Sequence, residues 1–244
     1  MNIKKILISQ PKPTNPKNSF LEIAEKCDVQ IDFEKFISIE GVSVTEFRKT
    51  KIDLLKFNIV IFTSKTAIDH YFRMAEGLNL KIPSTMKYYC INESIAYYIQ
   101  KYIIYRKRKI AYSNGSIDEL IEMLKKYQKE KVLLPVADIH KPTIPNKLKK
   151  NKFNVTKAVL YRTVSSDIKD LNINEYDIIT FFSPAGITSL LENFPDYEQG
   201  KTKFAAFGTE TSKAIKKANF KLQIKVPSKK HTSMATALID YIKK

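Results

Sequence analysis

Short apolar runs of four to six residues alternate along the chain with stretches in which apolar positions recur every three or four residues. The stretch NIVIFTSKTAIDHYF, Asn58 to Phe72, opens with such a run and crosses a polar turn. It then places Ile68, Tyr71, Phe72 and, just beyond, Ala75 on one helical face. The stretch DIITFFSPAGITSLLENF, Asp177 to Phe194, has the same layout, with Ile187, Leu190, Leu191 and Phe194 on the face. Phe62 and Phe181, Ser64 and Ser183, and Ile68 and Ile187 are each 119 positions apart. The echo continues. YYCINESIAYYIQ (Tyr88–Gln100) matches FAAFGTETSKAIKK (Phe204–Lys217), and SIDELIEML (Ser116–Leu124) matches SMATALIDYI (Ser233–Ile242). KILISQPKP (Lys5–Pro13) matches KVLLPVADIHKP (Lys131–Pro142). Ser116 with Glu119 reads as a capping box. Strand alternating with helix predicts parallel sheets.

The order of the units sets the domain organisation. One strand–helix–strand, Ile6 to about Phe36, precedes a full set of units from about Ile37 to Val164, and the rest follow from about Ser165. For each half to own a complete sheet, the N-terminal piece must join the C-terminal one. The expected fold is α/β: two similar parallel-sheet domains, flavodoxin- or Rossmann-like, joined by a two-stranded hinge. One domain is discontinuous, 1–36 and 165–244; the other is 37–164. Hinge strands at about 34–42 and 158–166, carrying FISIEGVS and AVLYRTVS, would run side by side. A cleft between two such domains is the default ligand site.

Composition narrows the chemistry. The chain has 244 residues, 43% of them hydrophobic, enough for one large domain or two small ones. The apolar run Ile6-Leu7-Ile8 is too short for a signal peptide, and no stretch approaches a membrane span, so a soluble cytoplasmic protein is expected. Cys27 and Cys90 fall in apolar-periodic segments and read as buried thiols. The net charge is +17, and the middle piece holds 24 basic against 11 acidic residues and all five arginines. Such a field attracts an anion, although a lysine- and asparagine-rich composition also accounts for part of it. With six glycines there is no G-x-G-x-x-G and no P-loop. No cysteine–histidine set has zinc spacing, so neither metal nor organic cofactor is expected. His70, His140 and His231 are scattered, and mid-helix His70 reads as a surface or packing residue. YRKRK, Tyr105 to Lys109, reads as a solvated lead-in to a strand; no nucleic-acid or membrane partner is expected.

In parallel sheets ligands bind beyond the carboxyl ends of the strands, where helix N-termini present unpaired amides. Four corners qualify. Ser64 is followed by Lys65 and Thr66. Asn92 is followed by Ser94. Ser183 is a good N-cap, Pro184 suits the first helical position, and Gly186 permits close backbone approach. Gly208, Thr209 and Thr211 form the fourth. Any one corner is an ordinary cap; four at matched positions point to a site for carboxylates.

IFTSKTAI, VLYRTV, FFSPAGI, FAAFGTETSKAI and VPSKKHTSMATALIDYI, in this order, resemble the uroporphyrinogen-III synthase family. The resemblance implies two α/β domains joined by a pair of strands, with the active site in the cleft. It implies a cofactor-free lyase, a monomer, that cyclises and dehydrates hydroxymethylbilane, a linear tetrapyrrole with eight carboxylates, to uroporphyrinogen III with inversion of the last ring. By the same resemblance Tyr161, in VLYRTV, is the tyrosine that helps the hydroxyl depart. Ser183 is the serine of the Phe-Ser-Pro block and Thr211 the threonine of the Gly-x-x-Thr turn, with Thr209 where proline is usual. Asn92 stands where the family often has glycine and Ile95 where it often has threonine; Ser94 is the substitute. The competing reading is a two-domain protein that binds a small polyanion without catalysis.

Overall fold

Ile59 to Phe62 are four consecutive apolar residues, all buried, and such a run is stable as a strand only where both sheet faces are covered. The computed structural model describes residues 3–15 and 18–243. The chain begins with β1 (Lys5–Ile8), α1 (Ser19–Cys27) and β2 (Gln30–Phe33). It continues through β3 (Ile37–Gly41), α2 (Val44–Lys49), β4 (Ile59–Phe62), α3 (Lys65–Gly77), β5 (Lys87–Cys90) and α4 (Glu93–Tyr98). Then come β6 (Ile110–Tyr112), α5 (Ile117–Leu124), β7 (Lys131–Ala137), α6 (Thr143–Lys150) and β8 (Asn154–Ser165). The last part holds β9 (Ile178–Phe181), α7 (Pro184–Asn193), β10 (Lys203–Phe207), α8 (Thr209–Lys217), β11 (Leu222–Val226) and α9 (Met234–Ile242).

The strands form two sheets, ordered β11-β10-β9-β1-β2 and β3-β8-β7-β4-β5-β6. The pairs of the first sheet are parallel, as are those joining β8, β7, β4, β5 and β6 in the second. Reading β4, β5, β6, β7, β8 against β9, β10, β11, β1, β2 gives the same spatial order in both. The second set is the first with its chain ends moved. At the sheet edge β3 lies beside β8. The Val42 amide donates to the Leu160 carbonyl and the Ser166 amide to the Phe36 carbonyl, so these two segments run antiparallel. The chain divides into two compact units, Met1–Ser38 with Val164–Lys244, and Ile39–Thr163.

Alternation along each strand splits the cores. In the continuous unit Val60, Phe62, Tyr88, Cys90 and Leu133 face one layer of helices, while Ile59, Ile61, Tyr89, Val132 and Leu134 face the other. In the discontinuous unit Ile6, Ile8, Ile178 and Val226 oppose Leu7, Ile179, Phe181 and Phe204. Burying a side chain such as Phe62 contributes about 2–3 kcal/mol.

Three local features differ from the sequence reading. Ser116 Oγ does accept from the Glu119 amide at 3.4 Å, but the Glu119 carboxylate turns to the Asn114 amide, so the capping box is only half formed. Cys90 is buried, whereas Cys27, near the end of α1, is half-buried. Strict alternation also fails on β8. Val136 pairs with Val159 but Ala137 with Tyr161, so Leu160 is an extra residue in a β-bulge. Leu160 and Tyr161 are therefore both buried in the same core. Bulges re-aim side chains, and this one aims Tyr161.

Candidate active site

Beyond the carboxyl end of β4, Ser64 takes an extended backbone and caps α3, its Oγ accepting from the Ala67 amide at 3.0 Å. A short polar side chain there satisfies one of the unpaired amides that a helix start exposes. Lys65 is exposed, its ammonium 5.3 Å from the Tyr98 ring centroid, and Thr66 is half-buried. The next strand, β5, leads to Asn92, whose side chain accepts from the Ile95 amide at 3.0 Å and caps α4. Ser94 is exposed on that helix. Strand order reverses between β4 and β7, the place where open α/β sheets hold ligands. A pocket of about 360 Å³ lies there, lined by Thr63, Val136, His140, Lys141 and Ile144 among others.

Tyr161 reaches the Ser64 corner from β8. Its hydroxyl lies 3.3 Å from Ser64 Oγ, although the two residues are 97 positions apart. The imidazole of His70 stacks on the Tyr161 ring with centroids 5.1 Å apart and planes 18° apart. Arg73, one turn further along α3, donates from Nε to His70 Nδ1 at 3.1 Å. Its Nη2 donates to the carbonyls of Val42 at 2.7 Å and Leu160 at 3.2 Å. Burial, and secondarily the Arg73 charge, lower the pKa of His70 below the ordinary imidazole value. With Nδ1 accepting, the neutral ring carries its proton on Nε2.

The discontinuous unit builds its corners with different parts. Ser183 occupies the N-cap of α7 with extended backbone and Pro184 follows at the first helical position, but the Ser183 hydroxyl makes no capping bond. At Gly186 a Cβ would stand 3.3 Å from the Phe181 ring and 3.8 Å from Ser9 Oγ, so glycine lets the first turn lie against the sheet. After β10, Gly208 has φ 91° and ψ 153°, a conformation nearly closed to other residues. Thr209 is exposed and Thr211 is 3% exposed.

Ser64 and Tyr161 are thus brought together, and Asn92 and Ser94 occupy the corner of the neighbouring strand. Ser183, Pro184 and Gly186, and Gly208, Thr209 and Thr211, form adjacent corners of the other unit, since β9 and β10 are neighbours. His70 is not a surface residue: it packs on Tyr161. Arg73 went unnoticed in the sequence. The i,i+3 spacing of His70 and Arg73 on one helix was visible, but their partners at 160 and 161 were not. Among the described residues no group of three or more His, Cys, Asp or Glu side chains could hold a metal ion, and no helix is long and apolar enough to cross a membrane.

A family model described as uroporphyrinogen-III synthase HemD matches residues 26–235. Among curated proteins none matches the chain in sequence. Of solved structures, the uroporphyrinogen-III synthetase of Helicobacter pylori aligns with 99% of each chain covered, a TM-score of 0.59 and 15% identity. A mutant uroporphyrinogen III synthase of Thermus thermophilus aligns with 98% of each chain, a TM-score of 0.52 and 15% identity. At that identity the two structures speak for the fold, in which both parallel sheets take part.

Proposed function

The chain belongs to the uroporphyrinogen-III synthase family, and we propose that it closes hydroxymethylbilane to uroporphyrinogen III, a lyase reaction in which water leaves and the last pyrrole ring is inverted. Tyr161 is the general acid. The bond between the methylene carbon and its hydroxyl oxygen breaks, and the oxygen leaves as water with the Tyr161 proton. The methylene carbon is left as a cation conjugated with its pyrrole. When the ring closes, the proton that the attacked pyrrole carbon sheds restores the phenol. The observation that supports this role is the contact between Tyr161 and Ser64. Either hydroxyl can donate in that contact; in the arrangement taken here Ser64, whose Oγ accepts from the Ala67 amide, donates its own proton to the Tyr161 oxygen. The phenol proton is then free for the substrate.

The bilane also closes unaided to the uninverted isomer, so the protein must hold one conformation of a flexible chain. Orientation alone supplies effective molarities of about 10⁵ M or more. The proposed grips on the carboxylates are the helix starts and hydroxyls at Ser64, Lys65, Thr66, Asn92, Ser94, Ser183, Pro184, Gly186, Gly208, Thr209 and Thr211. The half-buried Ser183 hydroxyl, with no capping bond of its own, supports that assignment. The reading further takes the two compact units as the enzyme's two domains, one discontinuous and one continuous, with β3 and β8 as the strands that join them. It takes the working form as a cytoplasmic monomer: one chain carries all four corners, and both cysteines are free thiols, as suits a reducing compartment.

Purified protein with freshly made bilane should yield mainly isomer III; isomer I alone, as without protein, would reject the proposal. Tyr161→Phe should lower kcat by about 10²–10⁴-fold, the usual worth of a general acid. An unchanged kcat would show that this hydroxyl is not the donor.

A further inference from the structure

Tyr161 is held by more than its hydroxyl. The residue before it, Leu160, is the extra residue of the bulge, and its carbonyl accepts from Arg73 Nη2 at 3.2 Å. The same nitrogen reaches Val42 at 2.7 Å, so one guanidinium ties the bulged strand to the segment leaving β3. From its Nε, Arg73 also fixes His70, and the His70 ring lies against the Tyr161 ring at 5.1 Å. A planar fork can serve the backbone beside Tyr161 and the ring stacked on it at once; an ammonium cannot. Gly41 leaves the space, since a Cβ there would stand 2.6 Å from Arg73 Cζ.

We infer that Arg73 and His70 are positioning residues for the Tyr161 hydroxyl: the guanidinium locks the bulge and the imidazole, and the imidazole face sets the phenol ring so that its oxygen meets Ser64. The inference rests on the reading of Tyr161 as proton donor. Its requirement is chemical as well as steric. His70 accepts at Nδ1, which only the neutral ring can do. The charged or titratable groups facing it are Arg73 and Asp69 on α3 and Tyr161 on β8. Protonation turns the acceptor into a donor and sets imidazolium against guanidinium; Asp69 only partly offsets that repulsion. Because burial and Arg73 lower its pKa, His70 is neutral at neutral pH and is protonated only as pH falls below the ordinary imidazole range.

The test uses His70→Ala, His70→Phe and Arg73→Lys, each alone and combined with Tyr161→Phe, with circular dichroism to confirm folding. His70→Ala and Arg73→Lys should lower kcat by about 10- to 100-fold while KM changes by less than about two-fold, as for a misplaced catalytic group. His70→Phe, which keeps a ring against Tyr161, should recover most of the kcat that His70→Ala loses. The acid-side fall of kcat expected of the wild type should be missing from it. On the Tyr161→Phe background none of the three should lower the rate further, because each acts through that hydroxyl. Additive losses on that background, wild-type kcat in His70→Ala, or an intact acid limb in His70→Phe would each overturn the inference. The last of these decides the matter even where His70→Ala does not fold. Wild-type kcat in Tyr161→Phe alone would instead remove the reading of Tyr161 on which the inference stands.

Discussion

Gly41→Ala puts a single methyl group against the Arg73 clamp. Its carbon would stand 2.6 Å from Cζ and 2.7 Å from both Nε and Nη2, distances no real Cβ keeps. The guanidinium is the far end of a flexible side chain, so it moves aside rather than straining the sheet. In moving it gives up its bonds to Val42, Leu160 and His70. A hydrogen bond to a charged group contributes about 1.5–3 kcal/mol net when well shielded. These three are half-buried and water replaces part of each, which leaves about 2–3 kcal/mol for the set. Against this, alanine restricts the unfolded chain and returns about 0.4–1 kcal/mol. The expected net loss is about 1–2.5 kcal/mol. Urea unfolding should show it as a lower midpoint at unchanged slope. In an Arg73→Met background, where the clamp is already gone, the same substitution should become neutral or stabilising. A Gly41→Ala protein at least as stable as the wild type, or equally destabilised in both backgrounds, would refute the reasoning.

Three further outcomes are expected. Burial raises the pKa of Asp69, but hydrogen bonds from Tyr102, Lys101 and Tyr98 outweigh it and hold the carboxyl below its ordinary 3.8. The stability it contributes is therefore present above that value and lost as pH falls through the lowered one. Asp69→Asn should flatten the acid side of the stability profile, where pH falls below the ordinary carboxyl value, and an unaltered profile would count against the cluster. Gly208→Ala forces a Cβ into backbone at φ 91° and should cost about 1–3 kcal/mol in thermal unfolding; an unchanged melting temperature would show that the turn relaxes freely. Burial pushes the Cys90 thiol up to about 12, so iodoacetamide followed by mass spectrometry should label half-buried Cys27 in the native protein and Cys90 only in urea. Equal labelling of the two would contradict the packing around β5.

Much of this molecule could be read along the chain. Strand and helix alternate where the apolar period switches from a continuous run to every third or fourth residue, as at Ile59–Phe62 and Ile68–Ala75. The helix starts at Ser64, Asn92, Ser183 and Gly208 were legible because capping and glycine conformations are settled within about four residues of backbone. The repeat of such corners predicted two similar sheets, and β4-to-β8 and β9-to-β2 do follow one spatial order. What lay out of reach was every contact whose partners are distant in sequence. Nothing in AVLYRTV announces a bulge, since no glycine or break in pattern marks Leu160. Alternation alone would have sent Leu160 and Tyr161 to opposite faces. Their shared face arises because β8 must pair with β7 while both side chains pack into one core. Likewise His70 reads from the sequence as a surface or packing residue, because its meaning depends on Tyr161, and that of Arg73 on carbonyls 31 and 87 positions away. Local backbone energies choose the elements and their caps; register, bulge and side-chain stacking are decided by which distant surfaces exclude water together.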